Sequence, residues 1–598
     1  MILQALCDYY HRSEGLPPLG FASEDIDYIV VISKNGEFLY VEPRDDPQYR
    51  VIRGADKTSN VVANVLWDKA SYILNINKKS KTIQEELSEE CKSMVEIVKE
   101  LAHNYPSNME FQAVLQFYQK EEYKKAPQKE YWDKLCKGDS LVSFMVKGEC
   151  RIVAQQCNDL EDYVHKRMLG NTTNKICLLT GEQGPVANIT AMTPIPGSGS
   201  GKIVSFQKGQ GYDSYGHVQG ENAPISVEAE FAYTTALKHL LRAGSPNKMR
   251  IGNRTFLFWS SLRTEAAQKK EHGIYALLGM PNKYKDNPNH GVEQFGEIVK
   301  SLFSGNEAHF SKEDKFYFLS LEPATKGRIA VVYWRESTIE ELIQNIKEHF
   351  SQMHIIDNRP YFKPYNGIYD MLCAVIKVES KDGNASKNEK IGKQYPRLSE
   401  DLLRSIIENK PYPYLLFTAC LHRIQAEQDI PSREKDKKAY WAFSDKEITR
   451  AAIIKAYLNR LNSNNKKIEI MIDKENSNIG YLCGRLFAVL EKIQELSNSE
   501  DGYKTTIRKR YMNGASATPS VVFPTLLNLS NHHIEKMNGP IMYEKLKGEI
   551  FDKIKTFPDS LDLKKQGNFF IGYYHQRQAF YTKNGEQQER IESNNNQE

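Results

Sequence analysis

Two rhythms of apolar and polar positions run along this chain, and the change from one to the other divides it. Near the start, Ile29, Val30, Val31 and Ile32 are followed by Asn35-Gly36 and then by Phe38, Leu39, Tyr40 and Val41. Two apolar runs around Asn-Gly predict a β-hairpin, because that dipeptide readily takes the positive φ values of a tight turn. Over 84–121 the rhythm becomes helical, with Val95, Val98, Leu101 and Ala102 at i, i+3 and i+4 spacing. Between 176 and 260 the pattern predicts short strands joined by a Gly/Ser loop, a helix from Ser226 to Leu241, and a strand over 255–259. Two more strands are expected between Phe316 and Trp334, around a turn at Pro323.

Residues 380–397 are polar and lysine-rich with almost no apolar content, which predicts a linker. From Leu398 onward the rhythm is almost wholly helical. Ile479, Leu482, Cys483, Leu486, Val489, Leu490, Ile493 and Leu496 share one helical face, and Arg485, Glu491, Lys492 and Glu495 fall on the other. Segments 412–426, 446–461, 519–533, 541–556 and 561–580 read alike, with Arg450, Lys455 and Arg460 taken as bundle surface. The expected fold class is therefore α+β. A mixed α/β region over 1–379, with subdomains near 1–165 and 166–379, precedes a helical bundle over 398–583 and a flexible polar tail over 584–598.

Composition narrows the function. With 80 Lys+Arg against 76 Asp+Glu the net charge is only +4, so the chain is no polycation and any nucleic-acid contact must come from local patches. No apolar run approaches the roughly 18 residues of a spanning helix, and the first residues lack a basic segment followed by a long apolar one. A cytoplasmic location with no membrane contact is expected. The nine cysteines form no Cys-x-x-Cys pair, which points to reduced thiols used for packing.

Catalytic chemistry is not advertised. In Gly197-Ser-Gly-Ser-Gly201-Lys202, Pro196 stands where a phosphate-binding loop needs its first glycine and Ile203 replaces the magnesium-holding hydroxyl. A flexible or nucleic-acid-contacting loop is the expectation. His532-His533 are adjacent, a spacing at which two helical side chains point about 100° apart, and His575 sits in a polar, aromatic face. No catalytic residue, metal ligand or cofactor is expected; the rival reading is a metal-dependent nuclease using His532, His533 or His575.

Material for holding polynucleotide is plainer. Residues 205–224, SFQKGQGYDSYGHVQGENAP, combine Gly, Gln, Asn, Tyr and Lys with few aliphatic side chains. Glycine lets backbone approach a groove edge, Gln and Asn can bond base edges, and tyrosine can stack on unpaired bases. A second patch, KTTIRKRY over 504–511, places Lys504, Arg508 and Lys509 where they could share a helical face along a phosphate track.

These segments resemble one family. MILQALCDYY (1–10), CLLTGEQGPVA (177–187), 205–226 with FAYTTALKHLL (231–241), RAAIIKAYLNR (450–460), GRLFAVLEKIQ (484–494), GASATPSVVFPTLL (514–527) and QGNFFIGYYHQRQAF (566–580) look like the large subunit of the type I-C CRISPR Cascade surveillance complex, the Dvulg subtype. In LSLEPATKGRIAVVYW (319–334) the family's Asn after Pro323 is Ala324, and Arg328 matches the family's arginine only with one residue inserted. The resemblance implies a non-catalytic subunit of an RNA-guided antiviral DNA-binding complex. Such a subunit recognises the protospacer-adjacent motif (PAM) in duplex DNA, aids strand separation and R-loop formation, and recruits a helicase-nuclease. It implies as partners a guide RNA complex with repeated backbone subunits, target duplex and displaced single strand, and a small subunit from an internal start, for which Met471 is the candidate. The other alternative is a single-strand binder indifferent to sequence.

Residue chemistry then ranks the contacts. Lys202, Gln207, Lys208, Gln210, Gln219 and Asn222 lead for duplex DNA near the flanking motif, because they set donors on glycine-rich backbone. Arg53, Lys57, Lys69, Lys326 and Arg328 follow. Arg485, Lys504, Arg508, Lys509 and Arg577 are the bundle candidates for the displaced strand.

Overall fold

A computed structural model describes the chain except residues 46–47, 56–60, 78, 128–130, 138–139, 170–172, 197–198, 207, 210–212, 214, 263–314, 325–326, 359–365, 379–381, 432–433, 462–465, 498–505, 538 and 582–598. The fold is α+β, with strands concentrated in the N-terminal half and helices in the C-terminal half. It divides into two compact units, one comprising Met1–Arg242 and Thr325–Ile329, the other Ala243–Ala324 and Ala330–Glu598.

The first unit opens with helix α1 (Ile2–Arg12). Its main sheet contains β1 (Tyr28–Ile32), β2 (Phe38–Pro43), β3 (Trp67–Lys69) and β4 (Leu141–Val146) in the order β2-β1-β4-β3. The hairpin expected around Asn35-Gly36 is thus present as β1–β2. β1 runs parallel to β4 and is buried at all five positions, which is why it reads as a continuous apolar run without alternation. The helical rhythm over 84–121 resolves into α2 (Glu89–Asn104), capped by the Ser88 hydroxyl, and α3 (Met109–Gln119), capped by the Asn108 side chain. Beyond them lie the short strands β5 (Asn174–Ile176), β6 (Gln183–Pro185), β7 (Thr193–Pro194) and β8 (Ser200–Gly201). Helix α4 (Val227–Leu241) follows, started by Ser226, whose hydroxyl accepts the Ala229 N–H at 3.2 Å. α1 packs on α4, with the Tyr10 and Phe231 rings edge to face at 5.8 Å.

A second sheet contains β9 (Lys248–Ile251), β10 (Arg254–Ser260), β11 (Lys315–Ala324) and β12 (Arg328–Thr338), in that order; it belongs to the second unit except for Arg328 and Ile329 at the start of β12, which belong to the first. β11 continues to Ala324, so Pro323 lies within the strand and not at a turn. That position lies past the last β10–β11 pair, Thr255 with Leu321, so its missing N–H interrupts no bond on that side.

Helices then continue to the end of the described chain: α5 (Ile339–Met353), α6 (Ile368–Val375), α7 (Asn384–Gln394), α8 (Leu398–Ile407), α9 (Tyr414–Ala426) and α10 (Lys437–Leu461). After these come α11 (Ile479–Ser497), α12 (Ile507–Ala517), α13 (Pro519–Ile534), α14 (Ile541–Phe551) and α15 (Leu563–Ala579). Two expectations are corrected here. The stretch 380–397 is no simple linker, because 384–394 form α7, which buries Ile391 and Gly392 and is tied by a Lys390–Asp382 ion pair at 2.5 Å. One buried isoleucine is too weak a periodic signal to read from sequence. The division between units falls instead after Arg242. The second correction concerns α11, which has no polar face over its first three turns. Every residue from Gly480 to Glu491 is buried, Arg485 and Glu491 included, as befits the central helix of a bundle.

Among the described residues no helix is long and apolar enough to cross a membrane. All nine cysteines are free thiols, and six of them are buried.

Candidate nucleic-acid interface

The described part of the glycine-rich motif, Gly199 to Gly201, belongs to a tight hairpin. β7 pairs antiparallel with β8, Thr193 opposite Gly201, and the Ile195 N–H donates to the Gly199 carbonyl at 2.9 Å. Gly199 has φ +72°, a region a side chain rarely tolerates. A Cβ on Gly201 would stand 2.8 Å from Ile329 Cγ1 and 3.2 Å from the Arg328 carbonyl oxygen. Gly199 and Gly201 therefore serve a turn and a close backbone approach.

That approach brings two sequence-predicted cations together. Lys202 N–H donates to the Gly327 carbonyl at 2.9 Å and the Ile329 N–H donates to the Lys202 carbonyl at 3.1 Å, pairing Lys202 with Arg328 as parallel neighbours. Residues paired in this way project from the same side of the two strands. Lys202 is half-buried and Arg328 exposed. Arg328, which residue chemistry ranks second, stands beside the first-ranked Lys202.

The loop that follows is held at its base. The Asp213 carboxylate accepts the Gly209 N–H at 2.7 Å and the Gln219 N–H at 3.2 Å, which fixes both sides of the loop with one group. Asn222 turns its amide inward to the Gln219 carbonyl at 3.0 Å, closing a short 3-10 turn over Gln219–Asn222. Its role in the fold is thus local, and Gln219 sits half-buried with φ +50°. Thr173 donates to Glu221 at 3.0 Å, and Lys175 Nζ lies 3.1 Å from His217 Nδ1, so β5 and this turn are adjacent. The Val218 N–H and the Thr173 hydroxyl hold the carboxyl of the half-buried Glu221 below the usual range. Lys208 is exposed; Gln207, Gln210, Lys57 and Lys326 lie outside the described residues.

Arg53 is engaged elsewhere. Its guanidinium lies 3.5 Å from Glu230 on α4 and 5.5 Å above the Phe231 ring, while the other Glu230 oxygen accepts the Ala191 N–H at 2.6 Å. Arg53 and Glu230 brace the segment leading into β7. Glu230 escaped the sequence reading, although an acid among Ala229, Phe231 and Tyr233 on an apolar helix signals a buried partner. A second brace is Cys177, whose sulfur accepts the Ser226 N–H at 3.2 Å. Burial alone would raise that thiol, but N–H groups of Ser226, Thr180 and Leu179 outweigh it and draw it down to about 7. Lys69 is half-buried at the end of β3, and its own N–H donates to Asp68 at 2.8 Å.

In the second unit three bundle candidates prove structural. Arg508 is 2% exposed, lies 2.8 Å from Glu447 and donates to the Tyr573 hydroxyl at 3.1 Å. Arg577 reaches the same Glu447 at 3.4 Å, and Tyr573 donates to Glu491 at 2.5 Å. Arg485, 3% exposed, donates to Gln576 at 3.1 Å. Arg450 and Lys455, expected on the surface, are buried too, Arg450 against Glu427 at 2.5 Å and Lys455 on the Gln352 carbonyl at 3.0 Å. Arg508, Arg485, Arg450 and Lys455 are too enclosed to follow a DNA strand, while Arg577 is half-buried and engaged by Glu447; hydrogen bonds and ion pairs answer the cost of burying these charges. A cavity of about 20 Å³ lies among Glu427, Glu447, Arg450 and Arg508, room for one water. Lys509 stays half-exposed and pairs with Asp429 at 2.8 Å; Lys504 lies outside the described residues.

The histidines are similarly placed. His575 is 1% exposed with Nδ1 3.0 Å from the Tyr481 hydroxyl, and burial drives its pKa to about 3. His533 meets the Ser497 hydroxyl at 3.0 Å, while its neighbour His532 is exposed. Among the described residues no group of three or more His, Cys, Asp or Glu is disposed to hold a metal ion.

Sequence comparison gives this arrangement its context. The chain is a CRISPR-associated protein. It belongs to the family described as CRISPR-associated protein (Cas_Csd1), whose pattern matches residues 6–581. No curated protein matches it.

Proposed function

We propose that this chain is the large subunit of a type I-C Cascade, reading the protospacer-adjacent motif in target duplex DNA without an active site of its own. Membership of the CRISPR-associated family across residues 6–581 supports the setting. The observation that carries the duplex contact is the pairing of Lys202 with Arg328, two cations on one face beside a braced, glycine-rich loop. Phosphate contacts of this kind set register, and the donors of the adjoining loop reach base edges. Its partners are the guide RNA with its repeated backbone subunits, the target duplex, the displaced strand, and a helicase-nuclease it recruits once strands separate. Met471, half-buried beside Ile470, whose carbonyl accepts the Ile356 N–H at 3.0 Å, is the start of a separately made small subunit. An intact-mass spectrum of the purified complex tests that point, and the absence of a product beginning at Met471 rejects it.

The test of the main reading is duplex binding by guide-loaded complex with and without this chain, at one salt concentration. One target carries the native flanking motif and the other a scrambled one. Tight binding that needs both chain and native motif supports motif reading. Equal enhancement of both targets makes the chain a strand-holding scaffold, and the reader must then lie elsewhere in the complex.

A further inference from the structure

Tyr215 is 99% exposed, the extreme among large apolar side chains of the described residues. It also has φ +52°, followed by Gly216 at φ +77°, so two successive residues take the left-handed conformation and lift the tyrosine from the loop. A bulky residue is strained there, and such strain persists where the surroundings over-determine it. Here they do: Asp213 fixes Gly209 and Gln219, and Asn222 closes the turn behind. The residues from Tyr215 to Val218 are all exposed, and Lys175 reaches His217 at 3.1 Å, setting a cation two positions from the ring. An exposed aromatic face beside positive charge is the composition that holds unpaired bases, since every base offers a π-face and every nucleotide a phosphate.

We propose that Tyr215 is the base-stacking residue of this interface, its ring lying against one unpaired nucleobase of bound DNA where duplex gives way to single strand. The inference rests on the DNA-binding reading above and adds to it a residue and a ligand: a nucleobase out of its pair.

The test uses guide-loaded complex containing the full chain. One target has its flanking motif followed by a pre-opened mismatched segment, with 5-iodo-deoxyuridine at successive positions for photo-cross-linking. The other is the same flanking duplex fully paired and too short to open. Wild type should cross-link through Tyr215 at one position of the opened segment. Tyr215→Ala should abolish that cross-link and weaken binding of the opened target about tenfold. Tyr215→Phe should retain both, because the ring is what stacks, and the paired duplex should bind all three alike. Unchanged affinity of Tyr215→Ala for the opened target overturns the proposal, as does an equal loss on both targets, which would mark a contact to duplex backbone. Failure of the wild-type complex to bind either target overturns the DNA reading itself, a result separable from either of these.

Discussion

The guanidinium of Arg508 lies 2.8 Å from the carboxylate of Glu447, and Arg577 approaches the same carboxylate at 3.4 Å. Burial works to raise Glu447, but the two guanidinia outweigh it and hold the group below the usual carboxylate range. Glu447→Gln should therefore leave the buried Arg508 and the half-buried Arg577 short of a counter-charge and lower stability by about 3 kcal/mol. Lys509→Ala, which removes a half-exposed partner of Asp429, should change stability by no more than about 0.5 kcal/mol. Urea denaturation of the full chain reads both. Equal effects of the two substitutions would show that the Glu447 cluster carries no special weight.

Arg508 and Lys509 also show how far the sequence could be read. Helical periodicity located α9, α10, α11, α13, α14 and α15 because a repeating apolar stripe needs no knowledge of partners. It could not say that Arg508 turns inward and Lys509 outward, since both are basic and the acid that decides between them stands on α10. Arg485 was read as polar face for the same reason: α11 is enclosed by other helices, and periodicity sees only one helix at a time. At the candidate interface the loop and its glycines were legible. The meeting of Lys202 with Arg328 was not, because pairing between distant short segments leaves no local signal.

Backbone contact between α11 and α15 gives a sharper test of packing. A Cβ on Gly484 would fall within overlap of the Phe569 carbonyl oxygen, and one on Gly572 within overlap of the Tyr481 carbonyl oxygen. Neither neighbour is a flexible side-chain end, so the helices must separate. Gly484→Ala and Gly572→Ala should each cost about 2 kcal/mol or more. Gly548→Ala on α14, where a Cβ meets nothing within 4 Å, should instead stabilise by about 0.5–1 kcal/mol through helix propensity. Opposite signs in thermal melts are the expected outcome, and a loss at Gly548 would contradict it.

Acid sensitivity follows from two buried histidines. Burial lowers His349 and His575 from 6.5 to about 3. Between those pH values the unfolded chain binds protons that the folded chain refuses, so stability falls as pH drops below about 6.5 and is fully retained above it. Each histidine contributes a slope of about 1.4 kcal/mol per pH unit well below that point. His575→Gln should lower stability at pH 7.5 but reduce the loss between pH 7.5 and 5, read from urea midpoints. A slope identical to wild type would mean that His575 protonates freely in the folded chain.

Salt dependence tests the pairing of Lys202 with Arg328 directly. Each cation that neutralises a phosphate releases about one counterion, so its removal lowers the slope of log affinity against log salt by about one. Lys202→Ala and Arg328→Ala should each do so, and the double variant should lower it by about two. Native and scrambled flanking motifs should be weakened alike, because phosphate carries no sequence information. Glu230→Gln, which removes a carboxylate oxygen facing Arg53 or Ala191, should leave the salt slope unchanged while increasing hydrogen exchange at the Ala191 amide. If the two cation variants keep the wild-type slope, the Lys202–Arg328 face does not meet phosphate. The duplex must then be held by another part of the loop that carries Lys208.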